Sequence, residues 1–378
     1  MNLNSSSILE KFKALTQLKL YPLYLSLILT TASLFFATPK NILYYKDKEI
    51  ESIWETINVK ANDLLNPLSN LDPKSHSAKT VFRLTVPIFV KFTHISLLQI
   101  TILNYFLGVV LLLLVFLLFK KNNLSNIEAS ILLISIVFIY FGRASFSDNY
   151  CFDGWAYLSM IACLFVDNII LIFLFGIIAA FTDERALLML PSLALFHAVK
   201  DKSANEYNNF LKFLINKKTI SVIAICIIYT VIRFILSVKY GLKTPSGDSD
   251  FSTLKRNLSI SGMGIWTFFE GLWLIIVVAI YFMIRNKHCI LLLAVLAQFI
   301  VSSLIALCVL DITRSGSYIV PIIFIIVPYL KGYLEAKDFR NLLIISAIIS
   351  FLFPAYYIVV GLTWCDPIYF EFIRHFLK

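Results

Sequence analysis

Apolar residues fill long, nearly uninterrupted runs from Leu20 to Leu362, and short polar stretches punctuate them. Runs that lack a polar face predict helices surrounded by hydrocarbon rather than helices half-turned to water. The candidate spans cover residues 20–37, 98–119, 127–141, 155–166, 169–181, 186–199, 219–238, 265–284, 289–310, 318–334 and 342–362. Three of them, 155–166, 169–181 and 186–199, are short against the ~20 residues that a full crossing needs. Asp167 would lie at mid-membrane if residues 155–181 formed one long span, and a charge there is costly. Two short helices turning at Asp167-Asn168 are therefore expected. The alternative is one long span, with Asp183, Glu184 and Arg185 inside and the next run re-entrant. The expected fold class is all-α: one polytopic integral membrane domain over residues 1–378, with roughly ten or eleven transmembrane helices.

The polar punctuation assigns sides. Lys11, Lys13 and Lys19 precede the first run, and Lys120 and Lys121 follow the second. Lys200, Lys202, Lys212, Lys217 and Lys218 come next, then Arg285 and Lys287, then Lys331, Lys337 and Arg340. Lys and Arg in short loops stay cytoplasmic, and these clusters alternate with the spans if the N-terminus is cytoplasmic. The outer face then receives a long first loop (38–91), GRASFSDNYCFDGW (142–155), TDER (182–185), residues 239–262 and DITRSGS (311–317).

Within the first outer loop, KDKEIESIWETINVKAND places Ile50, Ile53, Trp54, Ile57 and Ala61 on one stripe of an amphipathic helix. Such a helix lies flat on the membrane or packs on the bundle. Further on, SHSAKTVFRLTVP spaces His76, Lys79 and Arg83 by three and four, so a helix there would put them on one face, with Pro87 ending or kinking it.

Composition narrows the classes. Hydrophobic residues make up 59% of the chain and charged ones 15%, against roughly 25% charged in soluble domains. The net charge of +10 comes from basic residues that bracket apolar runs, which is a membrane-orientation pattern and not a nucleic-acid footprint. Six cysteines form no CxxC pair or Cys/His cluster, so no metal site and no cofactor are read from them, and a divalent cation stays open. FFATPK offers no clear small-x-small cleavage site, so the first run reads as a retained span.

The candidate chemistry gathers on the outer face. Asp153, Asp183 and Glu184 are the candidate catalytic carboxylates; His76, Lys79, Arg83, Arg185 and Arg314 are the candidate phosphate-binding cations. Acids in turns between short helices lie below headgroup level, where a charge needs a partner or water. A local ion cluster that fixes helix packing is the plainer reading of TDER, and a helix cap that of Asp153. Asp148 reads as a solvated loop charge, Glu270 and Arg233 as a structural pair, and His197 as a packed or capping residue. The glycines of SISGMG lack the spacing and strand of a nucleotide loop.

A first span, a long outer loop with an interfacial helix, many further spans and an acidic, Arg-bearing outer face together resemble the GT-C class of glycosyltransferases. The run FDGWAYLSM…FGIIAAFTDERALLMLP is similar to the stretch of that class in which an acidic helix start precedes a hairpin ending in a charged turn. Where the class usually places an acid just after the first span, this chain reads TPKNILYYKDKE, with Asp47 nearest. The resemblance implies a bacterial plasma-membrane enzyme that moves a sugar from a polyprenyl-phosphate carrier to a glycan or lipid acceptor. Its partners would be membrane lipid, that donor and that acceptor, with no nucleic acid. A carboxylate would deprotonate the acceptor hydroxyl, and cations would neutralise the leaving phosphate. A glycan polymerase or ligase acting on lipid-pyrophosphate sugars uses similar groups. A transporter or flippase would instead show internal repeats and broken helices in matching halves.

Overall fold

In the computed structural model, residues 14–37, 48–65, 80–147, 152–200, 216–242, 251–358 and 361–364 are described. The apolar runs become helices, and local chemistry fixes their ends. Helix α1 spans Tyr21–Ala37 and α2, the amphipathic segment, spans Lys48–Asn62. Next come α3 (Thr85–Thr93), α4 (Leu97–Lys121), α5 (Asn126–Phe138) and α6 (Tyr140–Ser147). Capping boxes start two of them: Ser96 with Gln99 begins α4, and Ser125 with Glu128 begins α5. Helices α7 (Asp153–Phe165) and α8 (Ile169–Thr182) form the expected short hairpin, with Asn168 capping the N–H groups of Ile170 and Leu171. A 3-10 turn (Glu184–Met189) leads into α9 (Leu190–Val199), where Pro191 occupies the first turn.

Helix α10 (Lys217–Tyr240) ends on Gly241, whose φ of 72° is the left-handed conformation that stops a helix. Helices α11 (Phe251–Leu258), α12 (Ser261–Trp266), α13 (Leu272–Arg285) and α14 (Cys289–Leu307) follow. Then come α15 (Ile312–Gly316), a second 3-10 turn (Ser317–Ile322), α16 (Ile323–Lys331) and α17 (Ala336–Leu352). An antiparallel hairpin follows, of β1 (Ala355–Ile358) and β2 (Gly361–Trp364), with Ala355 facing Trp364 and Ile358 facing Gly361.

The bundle is turned inside out relative to a soluble one. Phe92, Ile170, Phe234, Val277, Leu293 and Ile348 are exposed, whereas Arg143, Asp153, Asp183 and Glu270 are buried. An apolar exterior around buried charge suits a hydrocarbon surround. Among the described residues, four helical segments are long and apolar enough to cross a membrane: Leu97–Lys121, Lys217–Tyr240, Cys289–Leu307 and Ile312–Lys331. The last runs through α15, the 3-10 turn and α16, and lies almost wholly inside the bundle. The all-α expectation holds, with one small hairpin added.

Four expectations need correction. The run 127–141 is not one helix, because Ile139 adopts an extended conformation (φ −78°, ψ 160°) between α5 and α6. The run 265–284 breaks between Trp266 and Leu272, where Glu270 takes φ 44° and Gly271 packs so tightly that a Cβ would stand 2.1 Å from the Ser346 carbonyl oxygen. The run 342–362 leaves the helix at Leu352, two residues before Pro354, which cannot continue it, and finishes as the hairpin. Pro87 starts rather than ends a helix: it lies in the first turn of α3, where its missing N–H has no helical partner to lose.

Candidate active site

Helix α8 carries charge at both ends, and its 14 residues separate them by roughly 21 Å. At its C-terminal end, Asp183 caps the 3-10 turn by accepting the Arg185 N–H at 2.9 Å. The Arg185 guanidinium folds back on the same carboxylate, with Nε at 2.8 Å and Nη2 at 2.5 Å. Arg83, from the turn before α3, adds Nη2 at 3.1 Å. Burial alone would raise the Asp183 pKa, but the charges of Arg185 and Arg83 outweigh it and hold the carboxyl well below its usual range.

Asp153 is the second centre. It opens α7 behind Phe152, whose φ of 58° turns the chain sharply, and the helix N-terminus favours its charge. Gly154 lets this start pack against α6, since a Cβ would stand 2.1 Å from Ser145 Oγ. Asp153 is 0% exposed and accepts Arg314 Nε at 2.7 Å, Arg185 Nη2 at 3.1 Å, Tyr140 OH at 2.9 Å and Tyr318 OH at 3.2 Å. Both oxygens are filled by donors, so the carboxylate positions arginines and leaves no open side for an incoming hydroxyl. Arg185 bridges the two aspartates, reaches Ser315 Oγ with Nη1 at 3.3 Å, and lies 5.7 Å from the Tyr318 ring centre.

Glu184 stands apart from these two acids. Its side chain is 32% exposed, and its contact with Arg83 Nε is long, at 3.4 Å. Arg83 is the most exposed of the three arginines, so the pair forms the rim of the cluster. Burial lowers the Arg83 pKa and the charges of Asp183 and Glu184 raise it further, so the net shift is upward and the guanidinium stays charged. Asp311, 27% exposed, holds Arg314 Nη1 at 2.8 Å.

The structure thus brings together Arg83, Asp153, Asp183, Glu184, Arg185 and Arg314. His76, Lys79 and Asp148 lie outside the described residues. Arg83 is in a turn, not a helix, so the helical face expected for it does not extend to this position. Glu270 and Arg233 are not a pair: Glu270 accepts the Ala355 N–H at 2.7 Å, while Arg233 bonds Tyr229 and lies 4.4 Å over the Phe82 ring. His197 is partly buried, with Nε2 3.2 Å from the Cys163 carbonyl oxygen. Among the described residues, no group of three or more His, Cys, Asp or Glu could hold a metal ion.

One member was missed. Lys60 of α2 is buried, and its ammonium donates to the Thr80 carbonyl at 2.7 Å and to that of Arg83 at 3.3 Å. Burial first, and then the charge of Arg83, push its pKa down to about 7, with Glu184 opposing them. The sequence did carry a signal, because Lys60 sits three residues after Ile57 and seven after Ile53, on the apolar stripe itself. That stripe packs on the bundle: Trp54 and Ala61 meet Val86 and Val90 of α3, Ile100 of α4 and Phe152. Comparison of the chain with protein-family models, curated proteins and solved structures returned no match.

Proposed function

We propose that this chain is a membrane glycosyltransferase of the GT-C type, moving a sugar from a polyprenyl-phosphate carrier to an acceptor hydroxyl at the arginine–carboxylate end of the bundle. The observation that carries the reading is the rim pair: a partly exposed carboxylate, Glu184, beside a charged arginine, Arg83, on a buried frame of Asp153, Asp183, Arg185 and Arg314. The carrier phosphate takes the Arg83 fork, which suits bidentate phosphate recognition, and Glu184 is released from its long contact. Glu184 then accepts the proton of the acceptor hydroxyl as its oxygen bonds the anomeric carbon. The carbon–oxygen bond to phosphate breaks with its electron pair on the phosphate, where Arg83 neutralises the charge. In this reading Asp153 and Asp183 are positioning residues. About ten or eleven crossings with a cytoplasmic N-terminus put this end outside.

A transporter is the second reading, favoured by the breaks at Ile139 and Glu270. The test is transfer from a labelled polyprenyl-phosphate sugar in proteoliposomes, with Glu184→Gln beside the unmodified chain. Transfer should fall by about 10²–10⁴-fold, with stability changed by no more than about 1 kcal/mol. Loss of stability together with transfer would return Glu184 to a packing role, and no transfer by the unmodified chain with any such donor would favour the transporter. Sidedness is tested by His94→Cys and Lys287→Cys in a cysteine-free background. An impermeant thiol reagent should label position 94 in intact cells, and position 287 only after permeabilisation.

A further inference from the structure

At the other end of α8, the turn between α7 and α8 presents one carboxylate to three ammonium groups. Asp167 meets Lys121 at 2.8 Å, Lys200 at 3.0 Å and Lys218 at 2.5 Å. Those lysines come from three separate places: the end of α4, the end of α9 and the start of α10. Three positive charges on one negative charge leave an excess of two, held where Asp167 is 52% exposed. Lys121 also donates to the Phe165 carbonyl and lies 5.5 Å from the centre of that ring, which fixes its direction. Charge compressed in this way attracts an anion.

The neighbouring surface says which anion. Helices α8 and α10 are in contact, with Ser221 of α10 bonding the Ile169 carbonyl at the start of α8. Beginning at the cluster, Ile170, Leu174 and Ile178 run down the exposed side of α8 at intervals of four. Ile220, Ile223 and Ile227 run down the exposed side of α10. A cationic head therefore stands over two exposed apolar stripes, which matches a phosphate headgroup above its acyl chains.

We infer that Lys121, Lys200 and Lys218 form a binding site for the phosphate of an anionic membrane lipid, with Asp167 as the internal counter-ion that keeps them together when the lipid is away. The site is independent of the transfer chemistry and lies at the opposite end of α8.

The test uses the full chain in phosphatidylcholine nanodiscs titrated with phosphatidylglycerol, with retained lipid counted by native mass spectrometry and the melting temperature followed in parallel. Phosphatidylglycerol should be retained in preference to phosphatidylcholine and should raise the melting temperature. Lys121→Gln, Lys200→Gln and Lys218→Gln should each cut that preference about fivefold, the effect of one basic residue facing an anionic lipid. Lys337→Gln, an exposed lysine outside the cluster, should leave it unchanged. Asp167→Asn should raise the preference, because the competing carboxylate charge is gone and all three lysines remain; this arm holds even if a lysine variant fails to fold. Equal retention of the two lipids, an equal loss in Lys337→Gln, or no gain in Asp167→Asn would each overturn the site. Inorganic phosphate matching the effect of phosphatidylglycerol in pure phosphatidylcholine discs would overturn the lipid assignment in favour of a free anion.

Discussion

The two ends of α8 solve the same problem with different residues. At the Asp167 end, one half-exposed carboxylate is met by lysines; at the Asp183 end, two buried carboxylates are met by arginines. Lysine is a compact, strongly hydrated point charge, suited to a site that keeps its water. Arginine spreads its charge over a planar fork that fills several acceptor positions at once, which two carboxylates at 0% exposure require. The difference in burial decides the energetics. An exposed ion pair contributes about 0–1 kcal/mol, whereas breaking a buried one costs about 3–5 kcal/mol.

The comparison breaks most sharply at Asp153. Asp153→Asn keeps the shape and removes the charge that Arg185 and Arg314 share, so denaturation should show a loss of about 3–5 kcal/mol. A loss below 1 kcal/mol would mean that water reaches this end as freely as the other.

Next in size is a pH effect at Lys60, the buried lysine beside the arginine cluster. Its folded pKa of about 7 lies below the ordinary 10.5, so between those values the unfolded chain holds a proton that the folded chain has released. Stability should therefore rise with pH across this window, and Lys60→Met should flatten the rise. An unchanged slope in Lys60→Met would place the titration elsewhere.

The smallest effect belongs to Asp167. Lys121 first, then Lys218 and Lys200, lower its pKa by donating to the carboxylate. Its stabilisation is therefore present above the ordinary carboxylate range and is lost as pH falls through the lowered folded value. Because the group is half-exposed, Asp167→Asn in phosphatidylcholine should cost no more than about 1 kcal/mol. That cost should shrink in high salt, while the cost of Asp153→Asn should not.

These two ends differed in how far the sequence could reveal them. The hairpin turn at Asp167-Asn168 was legible because a charge interrupts an apolar run, and its cost at mid-membrane forces a turn. The frame around Asp153 was only half legible. Its acids and arginines could be named, but its partners lie 32 and 161 residues away, and no local pattern encodes which fork meets which oxygen. The breaks at Ile139 and Glu270 were hidden, since an apolar run looks the same whether one helix or two fill it. The β hairpin was hidden for the same reason, with Pro354 and Gly361 as its local marks. Lys60 was legible and passed over, a charge on an apolar stripe whose partners are backbone carbonyls.

That hairpin has a consequence for the order of synthesis. Ala355 gives its N–H to Glu270 and its carbonyl to Arg143 Nη2 at 3.0 Å, contacts that reach back 85 and 212 residues along the chain. Tyr357 adds a third, from its N–H to Thr313 Oγ1, one residue before Arg314. A ribosome therefore makes the buried glutamate and arginine long before it makes the strand that meets them. Until residue 355 has been made, the nascent bundle must keep Glu270 near water, and its polar layer gains these backbone contacts only when β1 docks.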